Sequence, residues 1–459
     1  MSSQSRPHRS IAVIVAVLTF SLTLAIRIWG INSRLWLLSD QMRDWSIVQG
    51  SFWDLPLIGP ATHVGGYTIG PAFYWIMWLI RVVVGPFFDN LPHAGGIGQA
   101  ALGSLADTLL LAAVWRRTGL LWTALTAVIL VSTGGYEVCL AAVIWNPVVG
   151  ATLAKIATAL VLLDWHRGSM PGRVATAGVA WAAVHAYTGA IYVAVSVFLA
   201  FLIDPLIRRD WKMAKQNAVV LVAVVVLLQV PLIVHQFSRG PGQQAMGAVT
   251  DSVAAIVTGR AQPEVDKSVR GYLAAVQFIQ GTPWTIPALG WMLVICGAVV
   301  AVRYRHDAAI LLMTLAPAAL SVVGYALFLA PLDSYYYFSL MPSAVLIVVL
   351  ALTSVPRRNV AQWIGIALCI GAVAMTPARI RFSRTLHQMP EYGPLVQGSR
   401  TVARRGVPMR AVRTDFPLPP TGDPEYIYRL LGGSIERSSR WLAVIAKDGS
   451  VTYQDIGGT

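Results

Sequence analysis

Trp36-Leu37-Leu38-Ser39-Asp40-Gln41-Met42-Arg43-Asp44-Trp45 and, further on, Gly59-Pro60-Ala61-Thr62-His63-Val64-Gly65-Gly66-Tyr67-Thr68-Ile69-Gly70-Pro71 belong to one polar, acid-bearing stretch, Leu35 to Pro71. It begins where a first apolar run, Ile11 to Gly30, is expected to leave a membrane. Two carboxylates therefore stand beside a lipid surface, with Gly and Pro shaping the backbone around them. The fold depends on whether the surrounding runs are membrane spans.

Composition says that they are. At 56% hydrophobic and 12% charged over 459 residues, the chain has too few polar residues to clothe a soluble core of that size. A net charge of +14 would suit nucleic acid in a soluble protein, but here the basic residues fall in short clusters between apolar runs, as the positive-inside rule requires. No nucleic-acid partner is expected. Cys139, Cys296 and Cys369 are too widely spaced for a disulfide framework or a metal site. No small-x-small cleavage pattern follows Ile11 to Ile26, so this run reads as a retained helix with a cytoplasmic amino terminus.

Eleven runs are candidate spans: Ile11–Gly30, Ile97–Trp115, Leu120–Thr133, Val148–Leu163, Val174–Tyr187, Gly189–Ile207, Ala218–Val234, Trp284–Val302, Ala308–Ala330, Phe338–Thr353 and Val360–Thr376. Started from inside, they place Arg116-Arg117, Arg167 with Arg173, Arg208-Arg209, Arg303 with Arg305, and Arg357-Arg358 on the inner face. Ile69 to Phe88 carries Arg81 between Pro71 and Pro86 and reads as a juxtamembrane helix. The expected fold is an all-α polytopic membrane protein of about 11 transmembrane helices, with juxtamembrane helices in the first outer loop and a small α/β carboxy-terminal domain. Residues 1–377 form the membrane module, with outer loops near 31–96 and 237–283, and residues 378–459 form the outer domain. In that domain Asp423 caps a helix that has Pro424 at its first position, and Trp441 to Ile445, Asp448-Gly449 and Val451 to Tyr453 read as a hairpin.

The order Trp36-x-x-x-Asp40-Gln41-x-Arg43, Gly59-Pro60 to Gly70-Pro71-x-x-Tyr74-Trp75, Trp145-Asn146-Pro147 and His185 resembles the GT-C superfamily of integral membrane glycosyltransferases. Within it the similarity is to the branch with the lipid A aminoarabinose transferase and the protein mannosyltransferases. Tyr335-Tyr336-Tyr337 before Pro342 is a weaker match. The resemblance implies inverting transfer of a sugar from a polyprenyl-phosphate-linked donor to a lipid or glycan acceptor, among membrane lipids at the periplasmic face of the bacterial inner membrane. It makes Asp40 the residue acting on the acceptor as general base or orienting group. Where many relatives carry an acidic residue before a Pro in the next outer loop, this chain has Asn146 before Pro147. That departure argues against a carboxylate-bound divalent metal, for which Glu137 is the remaining candidate.

Such a transfer needs an activated acceptor and donors for the departing phosphate. Asp40 and Asp44 are the catalytic candidates, with helix capping by Asp40 as the plain alternative. Arg43, His63, Tyr67, His185, Arg270 and Tyr336 are candidates to bind phosphate or sugar hydroxyls, since all are polar groups expected at the outer boundary. Asp107 and Lys155, near the middle of their spans, are expected to pair. In a transporter they would be the coupling residues, and in an O-antigen ligase-like enzyme Arg270 would be essential. Phe237 to Pro283 is expected to be a long polar loop that orders over the donor.

Overall fold

The computed structural model describes residues 9–61, 66–239, 247–279, 287–383, 389–419 and 421–457. Its helices are α1 (Arg9–Ile28), α2 (Ser39–Ile47), α3 (Ala72–Val84), α4 (Pro92–Thr118), α5 (Leu121–Ser132), α6 (Gly135–Cys139), α7 (Asn146–Leu162), α8 (Met170–Ala186) and α9 (Ile191–Ile207). These are followed by α10 (Trp211–Arg239), α11 (Gly247–Val257), α12 (Val265–Ile279), α13 (Pro287–Arg303), α14 (Ala308–Ala326), α15 (Met341–Leu352), α16 (Arg358–Ser383), α17 (Tyr392–Arg404) and α18 (Pro424–Leu430).

Each of the eleven apolar runs coincides with one of these helices. Among the described residues seven helical segments are long and apolar enough to cross a membrane, those containing α1, α4, α9, α10, α14, α15 and α16. Helices α5, α7 and α13 are apolar but shorter, so length and composition account for seven crossings and not for eleven. Ile11, Val13, Val219, Leu227 and Ile370 stand exposed on the outer helices, as lipid-facing side chains do. Helices α4 and α7 lie at the centre and are lined by small residues. A Cβ on Gly96 would fall 2.2 Å from the Ala142 carbonyl oxygen, and one on Gly150 would fall 2.4 Å from Tyr187 Cβ. Close backbone approach of this kind is how membrane helices gain packing energy where lipid offers no hydrophobic drive.

The centre also holds a closed ion cluster. Lys155 Nζ donates to Asp107 at 2.7 Å and to Glu137 at 2.5 Å, while the Arg27 guanidinium donates to Asp107 at 2.6 Å, to Glu137 at 2.5 Å and to Ser104 Oγ at 3.1 Å. The expected Asp107–Lys155 pair is therefore half of a neutral set of two cations and two anions.

Phe237 to Pro283 is not a plain loop, because it carries α11 and α12. Helix α12 turns Ser268 and Tyr272, four residues apart, toward the end of α14. There the Glu264 amide donates to the Ala326 carbonyl at 2.8 Å and Ser268 Oγ donates to the Val322 carbonyl at 2.7 Å. Residues 240–246, the polar start of that segment, lie outside the described residues.

The carboxy-terminal part folds as a three-stranded sheet in the order β1 (Ala411–Thr414), β2 (Trp441–Ile445), β3 (Val451–Asp455). β1 and β2 are parallel; β2 and β3 form the expected hairpin, with Gly449 at a positive φ of 83° in the turn. Asp423 caps α18 by accepting from the Glu425 amide at 2.8 Å. This unit is tied to the first loop. Tyr426 Oη donates to the Met42 carbonyl at 3.0 Å and accepts from Ser46 Oγ at 3.1 Å, and the Met389 amide donates to the Leu35 carbonyl at 3.0 Å. Tyr426→Phe is expected to cost about 0.5–1.5 kcal/mol, read as a lower midpoint in thermal unfolding of the detergent-solubilised protein.

Candidate active site

Helix α2 starts at Ser39 because the Gln41 side chain accepts from the Leu38 amide at 3.2 Å, satisfying one of the unpaired donors of the first turn. Asp40 lies in that turn, where the helix dipole favours an anion. Arg43, one turn later, reaches both acids, 2.9 Å from Asp40 Oδ1 and 2.9 Å from Asp44 Oδ1. The two acids differ in setting: the Asp40 side chain is 62% exposed and that of Asp44 3%. Asp44 also accepts from Tyr74 Oη at 3.2 Å. Burial pushes the Asp44 carboxyl above its usual range, against the pull of Arg43 and Tyr74. Burial and the adjacent Asp44 keep the Tyr74 phenol protonated, so it acts as donor.

On either side of residues 62–65, which lie outside the described residues, the Gly- and Pro-rich segment pairs with itself. The Gly59 amide donates to the Thr68 carbonyl at 3.2 Å, the Thr68 amide donates to the Pro60 carbonyl at 3.0 Å, and Ala61 bridges Tyr67. Glycine is required at 59, since a Cβ would sit 1.8 Å from Thr68 Oγ1 and 2.7 Å from the Gly70 carbonyl oxygen. Gly70 in turn lies against the His185 ring, with a hypothetical Cβ 2.0 Å from Nδ1. His185 is fully buried and, among the described residues, neither ring nitrogen has a hydrogen-bond partner; Thr68 Oγ1, also buried, has none among them either. Unsatisfied buried polar atoms are costly, which makes His185 and Thr68 candidates to meet a polar group.

The start of α3 thus joins two clusters, with Gly70 against His185 and, one turn on, Tyr74 against Asp44. Asp40, Arg43 and Asp44 are brought together directly, His185 joins them through α3, and Tyr67 sits on the self-paired segment. His63 lies outside the described residues. Arg270 is not part of this arrangement; it is exposed on α12 and paired with Asp266, both side chains being 76% exposed. Tyr336 packs among Tyr325, Phe328 and Tyr335, and its carbonyl accepts from Tyr325 Oη at 2.7 Å. An aromatic path leads from there to the first loop, with the Tyr335 and Trp145 rings 5.2 Å apart and those of Trp145 and Trp36 6.2 Å apart. Glu137 is committed to Arg27 and Lys155. Among the described residues no group of three or more His, Cys, Asp or Glu side chains could hold a metal ion. Sequence reasoning missed Tyr74 as the partner of Asp44, although it lies inside the Gly-Pro-x-x-Tyr pattern.

Membrane helices, short helices in the loop after α1 and a carboxy-terminal sheet docked on that loop are an arrangement this chain shares with solved structures of two membrane proteins. ArnT from Cupriavidus metallidurans bound to undecaprenyl phosphate superposes with a TM-score of 0.54 at 15% identity, covering 92% of this chain and 84% of that one. Its apo form gives 0.51 at 13% identity, over 93% and 86% of the two chains. The Archaeoglobus fulgidus oligosaccharyltransferase in complex with zinc and sulfate gives 0.51 at 13% identity, over 92% of this chain and 62% of that one. At such identities the likeness is one of fold. No protein-family model and no curated protein sequence matches the chain.

Proposed function

We propose that this chain is an inverting glycosyltransferase that moves one sugar from a polyprenyl-phosphate carrier to a lipid or glycan acceptor. The observation that carries the reading is the α2 acid pair, in which Arg43 holds an exposed carboxylate, Asp40, beside a buried one, Asp44. An acceptor hydroxyl loses its proton to Asp40 as its oxygen bonds to the sugar's anomeric carbon. The bond from that carbon to the phosphate oxygen breaks on the opposite face, and the polyprenyl phosphate departs with the bonding pair. A phosphate leaving group needs donors more than an acid. His185 is a phosphate or sugar donor in this reading, supported by its two ring nitrogens, which have no partner among the described residues. Asp44 and Tyr74 are positioning residues that hold Arg43.

The ArnT structure bound to undecaprenyl phosphate supports the donor class. The basic clusters between spans support a cytoplasmic amino terminus, with site and carboxy-terminal domain on the periplasmic side of a bacterial inner membrane. The transporter reading is disfavoured because Asp107 and Lys155 satisfy one another and their neighbours. The ligase-like reading is disfavoured because Arg270 stands apart. The test is transfer of radiolabelled sugar from polyprenyl-phosphate donors to membrane lipid acceptors by the purified protein, with release of free polyprenyl phosphate in equal amount. Failure with every donor would overturn the proposal.

A further inference from the structure

A cavity of about 680 Å³ lies between α17 and the membrane module, with no α2 residue in its lining, which includes Asn32, His93, Gln397, Arg400, Thr401 and Arg404. Beyond Gly393, Pro394 and Val396 in the first turns of α17, its lining residues on that helix fall at 397, 400, 401 and 404, the spacing of a single helix face. The opposite face buries Leu395, Ser399 and Val402 in the sheet unit. From Gln397 onward the cavity-facing stripe is polar and twice cationic. Across from it, His93 points Nδ1 at Tyr392 Oη, 2.9 Å away, which leaves its other nitrogen for the cavity. Arg400 is partly neutralised by Asp89 at 2.6 Å. Arg404 has no hydrogen-bond or ion-pair partner among the described residues. Asn32 belongs to the last turn of the first candidate span, Ser10–Ser33, and Trp29 beside it is 72% exposed, as an interfacial anchor is. The cavity therefore sits at the depth of lipid headgroups.

We propose that this cavity is a phosphate-binding site, distinct from the candidate active site, that takes the phosphate of an anionic headgroup at the membrane surface. Two guanidinium groups, an imidazole and the Gln397, Thr401 and Asn32 side chains offer charged and neutral donors around one anion. A single free cation would be met by any counterion; a cavity with five further polar side chains beside it at the headgroup level selects phosphate. The proposal does not rest on the transfer reaction.

The test uses the full-length protein in detergent, titrated with acyl-labelled phosphatidic acid and, separately, acyl-labelled phosphatidylcholine, with inorganic phosphate as competitor. Saturable binding of phosphatidic acid in preference to phosphatidylcholine is expected. Arg404→Gln should weaken it about tenfold, the scale of one charge-assisted contact, while Arg404→Lys keeps most of it. Arg404 is exposed and makes no docking bond, so the melting temperature should not move. Competition by inorganic phosphate at concentrations similar to the lipid's would assign the site to free phosphate, and competition only at large excess would assign it to the lipid; both uphold the anion site. Equal binding of the two lipids, or unchanged binding by Arg404→Gln and the charge-reversing Arg404→Glu, would overturn it.

Discussion

Asp40→Asn is expected to lower sugar transfer by about 10²- to 10⁴-fold, the usual worth of a positioned general base, without lowering the melting temperature. Asparagine has nearly the same shape but cannot take the acceptor's proton. Because the Asp40 side chain is 62% exposed and its ion pair with Arg43 is at the surface, its removal withdraws little stability. Asp44→Asn makes the matching control. Its carboxamide oxygen still accepts from Tyr74, so the fold survives, and the expected loss is smaller and shared between kcat and KM as Arg43 loosens. Steady-state transfer kinetics alongside thermal unfolding separate the two variants. Full transfer by Asp40→Asn would move the base to another residue.

Lys155→Met is expected to destabilise the protein by about 3–5 kcal/mol, the cost of breaking a buried ion set on one side. Asp107 and Lys155 are at most 1% exposed, Arg27 is fully enclosed and Glu137 is 18% exposed, so little water reaches the place of the lost ammonium. Two carboxylates would then share the Arg27 guanidinium, with one negative charge uncompensated. Removing a cation and an anion together, as in Lys155→Met with Glu137→Gln, should recover a large part of the loss by restoring neutrality. Denaturant unfolding of the three proteins measures this. Equal stability of Lys155→Met and wild type would mean that the cluster opens to water.

The positions of the membrane helices were legible because an apolar run in a chain this poor in charge has few other uses. The cap at Asp423 and the hairpin around Gly449 were legible for a similar reason, since each is decided within a few residues. The pairing of Asp107 with Lys155 followed from the cost of leaving either alone in a span. Arg27 and Glu137 were not placed with them. Arg27 lies so near the end of its run that it reads as a flanking charge, and only the packing of α1 on α4 turns it inward. Helices α11 and α12 were hidden by the Gly, Pro and Gln residues that precede them, and α12 is held by bonds to the end of α14, far along the sequence. At the candidate site, Asp40, Arg43 and Asp44 were visible as a local pattern. Tyr74 as the partner of Asp44, and the pressing of Gly70 on His185, depend on how α3 crosses its neighbours.

The bond from Tyr426 to the Met42 carbonyl spans 384 positions of sequence. Two segments that are far apart along the chain are thus fastened to one another. Closing a loop of that length by itself costs chain entropy, so the bond is favoured only when the helices in between have already brought its two ends together. The wall beside the acid pair therefore depends on the packing of every helix between the two segments, and loosening any of them loosens that wall as well.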